Sequence, residues 1–364
     1  MNFQELQASF AADRAHLEQL GIVLPQVRAY MPEGLVNDQP VMDAQPQLFA
    51  PPTNGVPAWF TTFIDPNVIR ILMAPTKAAQ ILGEEKRGDW TMDTTIFSIL
   101  EHAGEVSSYG DWNNNGNVSV NEGWTTRQAY YFQTVKQYGE RQVARAALAK
   151  INWVAEQDAA AADVMNRFMN LSYLFGVAGM QTYGILNDPG LQASIQAGLK
   201  AYGNATHTSW LYGGIPQATA NEVYADIQAL YTQLVAQTIG AVDTDTPLVL
   251  VMSSFAETAL TITNSFGVSV QDLLKKNFPN ITIVTVPEFG AQSSLNPHGH
   301  PGGEFLMLFA KTIQGQQTGF AAYNEKMRQH PLVPDMSSFK QKVSGGTWGA
   351  VFKYPVAVAT MVGI

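Results

Sequence analysis

Residues 138–175 read YGERQVARAALAKINWVAEQDAAAADVMNRFMNLSYLF, and Gly176-Val177-Ala178-Gly179 and Tyr183-Gly184-Ile185-Leu186-Asn187-Asp188-Pro189-Gly190 follow. No proline interrupts the run, and nine alanines lie between Ala144 and Ala162. Apolar residues recur at Val143, Ala147, Ile151, Val154, Ala161, Met165 and Phe168, the spacing of three and four that lines one buried face of a helix. Asp163 and Arg167 form a favourable i,i+4 pair on the polar side. The glycines after Phe175 supply the stop. The pattern predicts one helix over Tyr138–Phe175, roughly 50–55 Å long at 1.5 Å per residue. Such a helix would cross a whole molecule of this size. The expected subunit is flat and elongated, a shape that suits a tile in an assembly better than an enzyme.

On the N-terminal side, residues 3–20 are periodic (Phe3, Leu6, Phe10, Leu17, Leu20) and predict a helix ended by Gly21. Nine of the chain's 19 prolines then fall between Pro25 and Pro75, so residues 21–58 read as an extended arm. A short helix is expected over Ala74–Leu82, with Pro75 in its first turn. Strands are expected over Thr91–Val106 and Thr125–Val135, joined by a polar tip at Tyr109–Gly123. They form a projecting hairpin that leads into the long helix. The C-terminal half is α/β in pattern. Helices are expected at Asn221–Ile239, Ser254–Leu260 and Ser269–Asn277, and strands at Leu248–Met252, Ile281–Val286 and Phe305–Phe309. The β-branched tail Trp348–Ile364 reads as a strand pair returning to the core.

Composition narrows the function. Only 14 % of the 364 residues are charged, 21 basic against 30 acidic, for a net charge of −9. So few charges suit a surface hidden in contacts between copies, and the acidic balance opposes tight nucleic-acid binding. Cysteine is absent, which excludes disulfides, thiolate metal sites and a cysteine nucleophile. Glu5, Asp13, Arg14 and Glu18 break the apolar run a signal peptide needs, and no 18-residue apolar stretch suggests a membrane span. A soluble, intracellular product is expected.

The order arm, hairpin, long helix, α/β region and returning strand resembles the major capsid proteins of tailed phages, the HK97-fold family. Tyr138-Gly139-Glu140, the alanine-rich helix, Asn166-Arg167-Phe168, Phe175-Gly176-Val177 and Gly184-Ile185-Leu186-Asn187-Asp188-Pro189 carry the likeness, which runs from about residue 60 onward. The resemblance implies an α+β HK97-like capsid fold. In it, residues 1–58 form the N-terminal arm and 59–88 the lead-in to the peripheral (P) domain. Residues 89–137 form the extended hairpin, or E-loop, lying over the adjacent subunit. Residues 138–215 form the P-domain spine helix and its following turn, 216–340 the axial (A) domain, and 341–364 P-domain C-terminal strands. It further implies self-assembly through pentamers and hexamers into an icosahedral shell around a double-stranded DNA genome, bound without sequence specificity and without a membrane. Portal, scaffold or cement proteins are possible partners, and assembly takes place in the bacterial host cytoplasm. A cross-link from a loop lysine is not expected, because Lys86 sits near the hairpin base and the tip has no lysine. An encapsulin-like compartment shell is the neighbouring alternative. A soluble α/β hydrolase-like enzyme is the alternative from another class.

Each chemical motif has a bland competitor. Asp111-x-Asn113-x-Asn115-Gly116-x5-Glu122 matches the EF-hand calcium loop. It holds only two carboxylates and strand-like flanks, so a polar hairpin tip is the favoured reading, and calcium binding stays open. His298, His300 and Glu304 are close enough for a metal site but sit in a glycine- and proline-rich loop. Glu84-Glu85-Lys86-Arg87 reads as a solvated turn. Asp243 and Asp245 would have to face each other across a cleft to act as a catalytic pair. Ser253-Ser254 lacks a nucleophile elbow. Trp124, Tyr130, Tyr131, Phe132 and Tyr138 could stack on bases, but without interleaved cations a packed strand face is favoured. No catalytic, cofactor or metal residue is assigned.

Overall fold

The protein is described from a computed structural model that covers residues 75–148, 150–201, 207–212, 215–294 and 296–364. The expected arm, the helix at 3–20 and Ala74 lie outside the described residues. In chain order, α1 (Ala78–Leu82) precedes β1 (Glu84–Lys86), β2 (Thr94–Glu105), β3 (Asn117–Gln128) and β4 (Tyr130–Gly139). Next come α2 (Glu140–Leu148) and α3 (Trp153–Phe175), then the short strands β5 (Ile195–Gln196), β6 (Leu211–Tyr212) and β7 (Ile215–Pro216). The α/β portion holds α4 (Ala220–Gln237), β8 (Leu248–Met252), α5 (Ser254–Ala259), α6 (Val270–Asn277), β9 (Ile281–Thr285) and β10 (Phe305–Ala310). The chain ends with β11 (Thr312–Ile313), β12 (Gln316–Gln317), β13 (Gly319–Gln329), β14 (Val333–Asp335), β15 (Ser338–Phe352) and β16 (Val358–Val362).

Two mixed sheets organise these elements. In the first, β15 runs through the middle, with β4 along one edge and β13 and β14 along the other, and β1 lies parallel outside β13. The second has the order β5-β16-β10-β8-β9. Every residue of β8 and β10 is buried, which is why both read as unbroken apolar runs and not as alternating ones. One face of this sheet, through Leu248, Leu250, Leu306 and Leu308, packs on α4, α5 and α6. The other, through Val249, Val251, Met307 and Phe309, meets Met169, Tyr173 and Leu174 of α3 and Ala350 and Phe352 of β15. Helix α3 is thus the wedge between the sheets.

The long helix is not one rod. Strand β4 takes Tyr138 and Gly139, and the rest is broken between α2 and α3. Lys150 adopts φ 58°, and the Lys150 and Ile151 N–H groups donate to the carbonyls of Ala147 and Ala146, the paired bonds of a Schellman stop. The Asn152 side chain then accepts from the Ala155 N–H and caps the new helix. The remaining 23 residues span roughly 35 Å. No residue of α2 is buried, so Ala147 is exposed, whereas Ala161, Met165, Met169 and Leu174 of α3 are in the core.

The turn after α3 has a clear job. Gly176 takes φ 66°, and the Ile185 and Leu186 N–H groups donate to the free carbonyls of Tyr173 and Leu174. The Asn187 amide donates to the Phe175 carbonyl at 2.6 Å. A Cβ at Gly184 would collide with the Leu174 carbonyl, so only glycine allows this close return.

Three further expectations need correction. Glu84–Lys86 is a strand paired with Ala321–Tyr323, because Ala322 and its neighbours offer a free sheet edge to it. Thr125–Val135 covers the end of β3 and the start of β4, and the chain changes sheets between them at Ala129. The tail is two strands that do not pair: β15 belongs to the first sheet and β16 to the second. Pro355–Ala357 turns the chain between them. The α/β helices and strands expected from Asn221 to Phe309 fall within about two residues of α4, β8, α5, α6, β9 and β10.

Candidate assembly surface

Strands β2 and β3 pair over twelve consecutive residue pairs, from Thr94↔Gln128 to Glu105↔Asn117. At about 3.4 Å per residue the ladder reaches some 40 Å. Its tip is 106–116, and Asn117–Gly123, expected to belong to the tip, is the first half of β3. One face carries Ile96, Leu100, Val118, Val120 and Trp124, all exposed. At the tip Tyr109 and Trp112 are 93 % and 99 % exposed. A two-stranded ribbon in water is marginal by itself, and a run of exposed large apolar side chains marks an interaction surface.

Among the described residues, only the root of the hairpin is tied down. Arg127 donates to Asp188 at 3.0 Å, with both side chains about 5 % exposed, and the guanidinium lies over the Tyr183 ring at 4.9 Å. Phe97 packs edge-on against Phe320 at 5.7 Å. The Thr126 hydroxyl donates to Gln181 and the Tyr131 hydroxyl to the Met92 carbonyl. These contacts join the hairpin root to the turn after α3, to β13 and to β4. Sequence reading missed the Arg127–Asp188 pair. Its one signal was that Arg127 is the sole Lys or Arg between Arg87 and Lys136.

The other candidate groups disperse. Asp111 accepts from the Tyr109 hydroxyl, and Asn113 accepts from the Asn115 N–H. Glu122 lies in β3 opposite Leu100, five residues and roughly 17 Å down the strand from Asn117. It cannot share an ion with Asp111, so the EF-hand spacing is that of a hairpin tip. Both oxygens of Glu304 are engaged, by the Ser253 hydroxyl and the Ala291 N–H. His300 stacks on Phe305, and burial lowers its pKa, while His298 faces Phe175. Among the described residues no three His, Asp or Glu side chains are grouped to hold a metal.

Asp243 accepts from the Thr246 hydroxyl and the Asp245 N–H, and the hydroxyl holds its carboxyl below the usual range. That is a turn, not a cleft. Ser253 caps α5 through the Ala256 N–H. The aromatic cluster divides between the two faces of β4: Tyr130 and Phe132 pack on Phe168, Tyr131 on Trp90, and Tyr138 on Phe339. No helix among the described residues is long and apolar enough to cross a membrane.

Residues 47–363 match the family model described as Pa193 gp26 major capsid protein. No curated protein matches the sequence. Among solved structures, the capsid of Myoviridae phage XM1 aligns with TM-score 0.66 at 15 % identity, covering 86 % of this chain and all of that one. The capsid of an empty GTA particle aligns with TM-score 0.52 at 12 % identity over 84 % of this chain and 96 % of the other. The Mycobacterium phage Bobi structure gives 0.52 at 10 % identity over 83 % and 94 %. The α+β fold is that of the HK97-type capsids.

Proposed function

The chain belongs to the Pa193 gp26 major capsid protein family, and from that premise we propose how its parts build a shell. It is the major capsid protein of a tailed phage, a structural subunit that assembles with copies of itself. In this reading the shell is icosahedral, made of pentamers and hexamers, and encloses double-stranded DNA. The β2–β3 hairpin is the E-loop and lies over the adjacent subunit. Sheet one and α3 form the P-domain, and the second sheet with α4, α5 and α6 forms the A-domain around the five- and six-fold centres. Compared with the bounds read from the sequence, this moves β13 and β14 into the P-domain and β5 and β16 into the A-domain. The arm at 1–58 lashes neighbours together, and the subunit carries no catalysis of its own.

The observation that carries the reading is the hairpin, a ribbon of about 40 Å with one exposed apolar face, anchored among the described residues only at its root. Closed symmetry turns one such repeated contact into a finite shell. A net charge of −9 fits a lining that holds DNA weakly. Portal, scaffold and cement proteins complete the particle, which is assembled in the host cytoplasm. Electron microscopy of the purified, untagged protein tests the proposal. Closed shells, or rings of five and six, are expected. A homogeneous monomer or dimer at every salt concentration would overturn it.

A further inference from the structure

Helix α2 touches β4 and α3 but buries none of its residues. Val143 and Ala146 are half-buried and turn toward the body. At about 100° per residue, Arg141 and Arg145 fall on the opposite side, one turn and roughly 6 Å apart. Lys150 follows at the helix stop, so three exposed cations stand within ten residues. None of the three has a carboxylate partner among the described residues. Several other surface cations are engaged. Lys86, Arg87, Lys326 and Lys340 pair with carboxylates, and Arg328 and Lys353 lie over aromatic rings.

The acids around α2 do not neutralise this group. Asp158 is held by Lys136, and Glu156 is not free either. Beside the Ser337 carbonyl that accepts the Glu140 N–H, Asp335 is held by Lys340. Glu140, the one carboxylate of α2, lies about 100° and 140° around the helix from the two arginines, in the first turn where the helix dipole favours it. Leu148 is 87 % exposed beside the arginines, and a single exposed apolar side chain is ordinary surface. Lys150 is the unusual member. Its φ of 58° suits glycine or asparagine at a helix stop, and a side chain kept in a strained conformation points to a use for it. Arginine forks fit phosphate oxygens. Helix α2 has no aromatic ring to stack on bases, so its contacts are with phosphate and carry no sequence information.

We propose that Arg141, Arg145 and Lys150 form a phosphate-contact patch that meets the backbone of the enclosed double-stranded DNA without reading its sequence. The proposal rests on the reading of the protein as a capsid subunit and names the side chains that touch the genome. A chain of net charge −9 repels DNA as a whole. One patch therefore holds it weakly, and the many copies in a shell act together. Neutralising three phosphates gives a log–log salt slope of about −2.7, a loss of about forty-fold between 50 and 200 mM salt.

Retention of the purified protein on immobilised random-sequence duplex DNA, measured across that salt range, tests the patch. Wild type should be retained at low salt and show that slope. Arg141→Gln with Arg145→Gln and Lys150→Gln should cut retention about tenfold or more at the lowest salt and flatten the slope. Lys275→Gln with Lys276→Gln, an equally exposed cation pair on α6, should change it by less than about twofold. Lys150→Gly relieves the strain at the stop and should still weaken retention, which separates contact from stability. No retention of wild type, an equal loss from the α6 pair, or unchanged retention of the triple variant would overturn the patch. So would immobilised polyglutamate that holds wild type more tightly than DNA does and releases the triple variant, the mark of an acidic protein partner. Electron microscopy of the same proteins keeps the two readings apart. Shells from a wild type that DNA does not retain would leave the capsid reading standing and remove only the patch. A wild type that forms no shells would remove the capsid reading, whatever the column shows.

Discussion

Asp226 sits on the buried face of α4 and accepts from the Lys200 ammonium, from the Trp210 indole at 2.7 Å and from the Gly198 N–H at 3.3 Å. Lys200 is about 1 % exposed. Asp226→Ala leaves that ammonium buried without a counter-charge, at a cost of about 3–5 kcal/mol. A thermal melt should show a clear loss of stability, and an unchanged midpoint would contradict the pairing. Glu288 is also buried, and its Oε1 accepts from Asn170 on α3 at 2.7 Å. Burial raises its pKa above the ordinary 4.5. The unfolded chain therefore releases this proton at lower pH than the folded one. Stability from this site is full below 4.5 and declines as pH rises through the folded value. Glu288→Gln should remove that decline, seen as melts at pH 7 closer to those at pH 4.5 than in wild type. None of these pairs was legible in the sequence. Lys200 and Asp226 belong to no motif, and Asn170 and Glu288 meet only when α3 packs on the second sheet.

At the scale of elements, the break between α2 and α3 is the instructive miss. Alanine-rich sequence with three- and four-residue apolar spacing supports a helix on either side of it, and the phase carries across Ile151 without an interruption visible in composition. The stop uses lysine, not glycine, in the left-handed region, a choice that costs on the order of 1 kcal/mol. Lys150→Gly should return part of that, read as a small rise in melting temperature. Met165→Asp buries an unpaired charge and should abolish soluble folding. Ala147→Asp, on exposed α2, should leave the melt nearly unchanged. A collapse of Ala147→Asp in the isolated subunit would restore the continuous-helix reading. The α/β strands were readable because burial on both faces leaves runs such as Leu248–Met252 with no polar interruption. The hairpin was readable as a projection, but its register was not. The first half of β3, Asn117–Gly123, sets two valines among Asn, Ser, Glu and Gly, and so weak a pattern gives little guidance to register.

For the molecule as a whole, the proposed role of the hairpin would separate folding from assembly. Among the described residues, its twelve-pair ladder touches the body only at the root. Replacing residues 95–125 with a short Gly/Ser turn should give a soluble subunit with a near-native melt that forms no shells. Shells of normal size from that variant would contradict the assignment. The two sheets, by contrast, cannot be separated. The chain leaves the second sheet after β10, builds β13 and β15 into the first, and returns as β16 to fill the slot between β10 and β5. Met361 aligns with Ile195, and Phe305 with Val362. Pairings so distant in sequence make for slow folding. Until β16 arrives, the β10 edge is bare and can accept a strand from another nascent copy. A chaperone that isolates single chains during that interval should raise the yield of soluble subunit in a refolding assay.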